Sequence, residues 1–459
     1  MFRVRTGRII EADLVARLER AGFRLRALDG MPSFFVVEDG PYPLSLTLEH
    51  WAGLLYVQQA STGLAAPALG AQPGERVLDL CSSPGGKLTH LAELMGDSGS
   101  LVACDVDEKR IRGLLGNLYR LCVPNVLVVA SDGRTFPEGA LFDRVLIDAP
   151  CSGEGTIRRR SGDAPDHSKK FRASVTRTQR ALLEKAIRLT RPGGTLLYVT
   201  CTFAPEENEA VVSAVLERFP VEIEPLDLAV PHEPGLTSFE GVVYDPRMVG
   251  AARIYPHHLD SGGLFMAKLR RLEGDAPPVD RDAGWSVMSA AFPGDPRAEE
   301  EAGRLVADAV RTVLARHGIA PETFEGYDWT LRADTLWLHS SGEWPLPAWE
   351  PGRWRAISVG LRAIELDTSG RPRATNDLLR FASTAVRTAV VDVTEARLLR
   401  LLSGEAEPAD EAIPYGPTAL RLNGEVVGRS ASKVAGLFSE VPKSRAIDLA
   451  RALTRSESV

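Results

Sequence analysis

Two cysteines in this 459-residue chain stand where reactive thiols are useful. Cys151 lies in DAPCSGEGT (148–156) and Cys201 in TCTFAPEENE (200–209), each directly after an apolar run that reads as a strand. Free cysteine is most often a small buried hydrophobe, and Cys104 and Cys122, in strand or helix positions, fit that reading. Cys151 and Cys201 differ, because each sits in a polar, Gly- or Thr-rich turn, with Asp148 beside Cys151 and a basic segment following that favours thiolate.

The string VLDLCSSPGGKLTHLAELM (77–95) is a strand, a tight turn and then a helix. Glycines there let backbone approach a ligand, and the helix start offers free N–H groups. No glycine lies five residues before Gly86, and Leu88 follows Lys87, so the turn is not a triphosphate-gripping loop. Asp105 ends the next strand 19 residues after Gly86, where a carboxylate can accept ribose hydroxyls, and Asp132 after the third strand can reach an adenine amino group. Asp79 faces the turn from the first strand. Together they point to an adenosine-bearing ligand without a phosphate grip, which favours S-adenosylmethionine. The bland alternative is a tight turn with strand-end acids that cap helices.

The elements that position these groups are RVLDL (76–80), SLVACD (100–105), VLVVA (126–130), RVLIDA (144–149) and TLLYVT (195–200), alternating with helical stretches. Near-continuous apolar strands separated by helices describe an α/β, mostly parallel, doubly wound sheet covered on both faces. In such a sheet the carboxyl ends of the strands line the ligand crevice, so Cys151 and Cys201 are expected to meet there although 50 residues separate them. Two thiols, a carboxylate and a methyl donor suit one reaction. Thiolate attack on carbon 6 of cytosine turns carbon 5 into an enamine nucleophile, an acid near N3 assists, and a base later removes the carbon-5 proton.

DLCSSPGGK, DAPCSGEG and TCTFAPEENE resemble the signature motifs of the Nol/Nop/Sun family of RNA cytosine-5 methyltransferases, the bacterial 16S ribosomal-RNA branch in particular. Further likeness runs through YVQQAS (56–61), the stretch from Gln179, RPGG (191–194) and RIYPHHLDSGGLFMAKLRR (253–271), covering residues 3–272. The resemblance implies a class I Rossmann-like fold with Cys201 as nucleophile, Cys151 assisting release and Asp148 orienting and protonating the base. It implies cofactor contacts by Cys81, Ser82, Ser83, Pro84, Gly85, Gly86, Lys87, Asp105, Asp132 and Asp148. Ser82 and Ser83 replace the family's usual two alanines, and RVRT (3–6) replaces its Arg-Val-Asn-Thr, with Arg5 for Asn. Members of the family usually have a helical segment ahead of that point, so the expectation is either an abbreviated N-terminal RNA-binding element or a start that falls late in the chain. DNA cytosine-5 enzymes use the Pro-Cys loop followed by Glu-Asn-Val, and adenine-directed enzymes put an aromatic in the fourth-strand loop; neither pattern occurs here.

The expected layout is an α/β RNA-binding lead-in at 1–70, a catalytic domain at 71–272, a Pro/Gly/Asp linker at 273–299, an α/β region at 300–375 and a PUA-like RNA-binding domain at 376–459. Lys plus Arg number 54 against 61 Asp plus Glu, a net charge of −7, which by itself disfavours a polyanionic partner. Residues 1–272 are nearly balanced, with 32 basic and 33 acidic groups, and Arg158–Arg191 holds 11 basic against three acidic groups. RNA contact is therefore assigned to Arg158, Arg159, Arg160, Lys169 and Lys170, with local contacts further on by Arg429, Lys433, Lys443 and Arg445. Five of the seven tryptophans fall between Trp329 and Trp354 and read as core. Five cysteines without close pairs suit a reducing cytoplasm, and no apolar stretch is long enough to span a bilayer. A monomer without metal is expected, with RNA, small-subunit or alternatively transfer RNA, as partner; a non-catalytic RNA-binding assembly factor is the rival reading.

Overall fold

A computed structural model of the chain describes residues 1–155, 168–272, 282, 285–287, 299–345 and 355–455. The first strands, β1 (Phe2–Val4), β2 (Arg24–Ala27), β3 (Phe34–Asp39) and β4 (Leu55–Val57), form an antiparallel sheet in the order β2-β3-β1-β4. The helix Glu11–Arg20 covers it by burying Leu14 and Leu18, which are spaced one turn apart.

Beyond it run β5 (Arg76–Asp79), β6 (Ser100–Asp105), β7 (Val126–Ala130), β8 (Phe142–Asp148) and β9 (Thr190–Thr200), parallel and ordered β7-β6-β5-β8-β9. Both faces are apolar. Leu78, Val102, Leu127, Val145 and Leu196 pack into one buried cluster, and their neighbours Val77, Leu101, Val126, Leu146 and Leu197 into another. Strand order reverses between β5 and β8, which opens a crevice at their carboxyl ends. The antiparallel strands Leu264–Arg271, Ala252–Ile254 and Glu233–Pro234 extend the sheet beyond β9.

The opposite edge departs from the sequence reading. The sequence pattern puts RAISVGLRAIELD (355–367) in the separate C-terminal α/β region at 300–375, but Arg355–Val359 pairs antiparallel with β7 and completes the central sheet. Gly360 then turns at φ +59°, where an added Cβ would stand 2.1 Å from the Leu338 carbonyl oxygen, and Leu361–Leu366 joins a different sheet with Thr335–Ser340. One alternating run is thus shared between two sheets. A further sheet comprises Val390–Asp392, Gly416–Leu422, Glu425–Lys433 and Gly436–Ser439, flanked by the helices Glu395–Ser403 and Lys443–Thr454. Trp337 and Trp344 are buried and Trp329 packs against Phe324, whereas Trp349 and Trp354 lie outside the described residues. Among the described residues no helix is long and apolar enough to cross a membrane.

Candidate active site

The sulfur atoms of Cys151 and Cys201 lie 3.2 Å apart. β8 ends at Asp148 and β9 at Thr200, adjacent and in register, so the turns after them converge. The two loops are also tied directly to each other. Gly155 N–H donates to the Cys201 carbonyl at 2.8 Å, and a Cβ on Gly155 would meet that oxygen at the same distance, so glycine is required. Ser152 and Thr202 hydroxyls pair at 2.8 Å. Glu207 is fully buried, and one of its oxygens accepts from Ser152 N–H (3.0 Å) and the Gln179 amide (2.9 Å), which also donates to Pro150 O. Asn208 accepts from the Thr200 hydroxyl and donates to Thr202 O.

This geometry makes the thiols unequal. The hydrogen bond from Cys151 holds the Cys201 thiol below its ordinary range; burial and the Asp148 charge oppose this, and Lys87 reinforces it. Donating that bond, with burial, pushes Cys151 well up. Lys87 Nζ donates to Asp148 at 2.6 Å. Burial alone would lower the lysine, but the charge and hydrogen bond of Asp148, then Cys201, raise it. The structure thus sets a more acidic thiol, Cys201, beside a less acidic one, Cys151, with the Lys87–Asp148 ion pair alongside.

The glycine turn lies at the ends of β5 and β6. Gly85 has φ +100°, and a Cβ there would approach Leu114 to 2.7 Å, so the turn excludes a side chain. Asp105 accepts from Ser83 N–H (3.1 Å) and Asp107 N–H (3.0 Å), and Arg110 and Asn117 donate to Ser83 O (2.7 Å) and Pro84 O (2.9 Å). Cys81 is half-buried behind the turn, its N–H directed at Asp79. Asp132 is turned onto Arg134, at 2.6 Å. A cleft of about 370 Å³ opens between this turn and β4, lined by Tyr56, Gln58, Asp79, Ser82, Gly86, Lys87 and Asp148.

The cleft carries groups suited to S-adenosylmethionine. Both amide atoms of Gln58 and the Ser83 hydroxyl are buried without a hydrogen-bond partner among the described residues. Burial first, and then the Asp148 charge, raise the Asp79 carboxyl to about 7, an environment that a cationic ligand relieves. Sequence reasoning missed Gln58, Gln179, Glu207 and Asn208 as functional, although YVQQ, the stretch from Gln179 and PEENE were noticed. The N-terminal lead-in proves to be a wall of this cleft, fastened through buried Arg3 to Glu93 and through buried Arg5 to Leu121 O.

The expected RNA contacts divide. Arg158, Arg159 and Arg160 lie outside the described residues. Lys169 opens the helix Lys169–Leu189, on which Lys170, Arg177 and Arg180 are exposed, while Arg172 bridges Glu154 and Glu206. Arg429 is spent on Glu365 and Glu440, and Arg445 on Asp377, so two of the four C-terminal cations expected to meet RNA are consumed within the protein.

A parallel sheet with this strand order, extended beyond β9 by the antiparallel strand Leu264–Arg271, with a glycine turn after its first strand and an acid ending the second, has the architecture of a class I methyltransferase. A family model described as 16S rRNA methyltransferase RsmB/F matches residues 66–270. Ribosomal RNA small subunit methyltransferase F of Klebsiella pneumoniae (strain 342) is 33% identical over 396 residues, 83% of this chain and 77% of that protein. The protein of the same name in Vibrio atlanticus (strain LGP32) is 30% identical over 442 residues, 93% and 87% of the two chains. A solved methyltransferase homolog from Pyrococcus horikoshii superposes with a TM-score of 0.54 at 38% identity, covering 59% of this chain and 86% of its own. The chain belongs to the RsmB/F family, S-adenosylmethionine-dependent RNA cytosine-5 methyltransferases.

Proposed function

We propose that this enzyme methylates carbon 5 of cytidines in 16S ribosomal RNA through a covalent intermediate on Cys201. The observation that carries the reading is the pair of sulfurs 3.2 Å apart, of which Cys201 is the more acidic. A target base leaves its stack and enters the crevice, at a cost of about a few kcal/mol. Exposed Lys170, Arg177 and Arg180 offset this by holding phosphates, together with the basic segment Arg158–Arg160 and Lys169.

Cys201 then forms a bond to carbon 6, and the electron pair of the 5,6 double bond becomes available at carbon 5. Asp148 takes the N3 side of the ring, with Lys87 as its proton store. S-adenosylmethionine, when bound, supplies the electrophilic methyl group. The turn Cys81–Lys87 with Asp79, Asp105, Asp132 and Gln58 would hold it. Once carbon 5 carries methyl, the C–H pair at carbon 5 re-forms the 5,6 double bond and the carbon 6–sulfur pair leaves with Cys201; Cys151, in contact with the departing sulfur, gives it a proton and as thiolate accepts the carbon-5 proton. Five free cysteines support a reducing cytoplasm as the compartment, and the C-terminal sheet Val390–Ser439 is read as a PUA-like RNA-binding element.

The test is an adduct. With 16S ribosomal RNA transcript and cofactor, Cys151→Ala accumulates a covalent protein–RNA species under denaturing conditions, and Cys201→Ala gives none. Equal behaviour of the two variants would overturn the assignment of roles. Bisulfite sequencing of ribosomal and transfer RNA with and without the gene decides between the two substrates.

A further inference from the structure

Two residues beyond Cys201 a row of rings begins. Phe203 stacks on Tyr255 with centroids 5.5 Å apart and planes 28° apart, and Tyr255 on His257 at 5.9 Å and 6°. His258 meets both Tyr255 and His257 edge-on. Exposure increases along the row: Phe203 and Tyr255 are half-buried and His257 is exposed. Phe203 lies where Gly263 has no side chain, since a Cβ there would come within 2.2 Å of two ring carbons.

Buried Arg253 braces the row. It binds Glu209 at 2.5 and 2.7 Å, donates to Phe203 O at 3.1 Å and stands 3.4 Å from the Tyr255 hydroxyl. Phe203 N–H donates to Glu154, whose other oxygen binds Arg172 on the basic helix. The ring row and the cationic helix thus meet at one carboxylate beside the nucleophile loop. Stacked rings also occur in the core, as in buried Phe2 on Phe35, but this row climbs from beside the nucleophile loop to an exposed ring and so offers a π-face at the surface.

Resting on the function proposed above, we infer that this row receives an RNA base adjacent to the target cytidine, with His257 as the outermost ring. Turning the target base out of its stack deprives its neighbours of one stacking face, and an aromatic platform beside the crevice replaces it. The platform recognises a base by its π-face, so it takes single-stranded RNA with little sequence preference.

Methyl transfer to 16S ribosomal RNA transcript by the full chain tests this. His257→Ala raises KM for RNA about fivefold or more, the low end of the cost of one lost base–aromatic stack, with kcat held within about twofold. His257→Trp restores KM and His257→Gln does not, which separates stacking from hydrogen bonding and from a fold-keeping role. Rescue by Gln equal to Trp, or an unchanged KM in the Ala variant, overturns the inference. In parallel, ultraviolet cross-linking of wild-type protein to the transcript leaves nucleotide on the peptide spanning Tyr255–His258; an unmodified peptide also overturns it. A wild-type protein that cross-links there but transfers no methyl to cytidine refutes the proposed function and leaves the platform standing.

Discussion

At the ends of β8 and β9 the polar side chains hold one another: Ser152 by Thr202 and Glu207, Gln179 by Pro150 and Glu207, Asn208 by Thr200 and Thr202. Single oxygens of Gln179 and Glu207 stay unpaired, yet both side chains are anchored through their other atoms. Around the cleft between the ends of β5 and β6 and the end of β4, whole groups are left over among the described residues: the Gln58 amide, the Ser83 hydroxyl, and an Asp79 carboxyl whose charged form burial disfavours. The first region is assembled before any substrate arrives. The second keeps buried polar groups open for a ligand to satisfy. Buried polar groups without partners each cost about 1–3 kcal/mol, so the fold tolerates them where binding repays the loss.

The comparison fails most visibly at Cys201. Cys201→Ala should reduce methyl transfer by about 10⁴-fold or more while leaving the S-adenosylmethionine Kd unchanged by calorimetry. A parallel loss of cofactor affinity would mean that the two regions are one. Next in size is Gln179→Leu, which removes the amide N–H groups that tie the basic helix to Pro150 O in the Pro-Cys loop and to Glu207. We expect kcat to fall about 10²-fold, as for small misplacements of a reacting group, with cofactor Kd again unchanged.

Asp79→Asn acts on the other side. It should weaken cofactor binding about tenfold at pH 8 and flatten its pH dependence. In the wild type the carboxyl is ionised above about pH 7 and attracts the cofactor's positive charge, so affinity falls as pH drops through that value. The sign for ligand-free stability is the reverse. A carboxyl whose folded pKa is raised from 3.8 to about 7 favours the fold fully at low pH, and that contribution is lost as pH rises through 7. The ligand-free Asn variant should therefore melt higher than wild type at pH 8 and not at pH 4. The smallest effect is expected at Arg429, whose partners are Glu365 and Glu440. Arg429→Ala should cost about 1 kcal/mol in denaturant unfolding and leave RNA affinity, by filter binding, within about twofold.

The five parallel strands and the turn after β5 were legible because local apolar runs and glycine spacing encode them. The meeting of Cys151 and Cys201 followed from topology, since parallel strands share a carboxyl edge. Gln179 was available but overlooked. It falls in step with Leu182, Leu183 and Ala186 on the buried face of its helix, where an amide marks a polar partner at depth. Two features lay beyond local pattern. Arg355–Val359 alternates like any antiparallel strand, and nothing within it names β7 as its neighbour. Arg429 pairs with Glu365, 64 residues away, as well as with Glu440, and Arg445 with Asp377, 68 residues away, so the engagement of these two cations within the protein is set by the tertiary fold and not by local sequence.

That late strand also sets a schedule for synthesis. β7 is complete at Ala130, yet the chain that pairs with its outer side ends at Val359. At about 5–20 residues per second the ribosome needs on the order of ten seconds or more to deliver it. Throughout that interval the growing sheet shows a bare row of amides and carbonyls, a template for pairing with another chain. A nascent polypeptide halted near residue 272 would keep that row open permanently and should self-associate, whatever the state of its thiols.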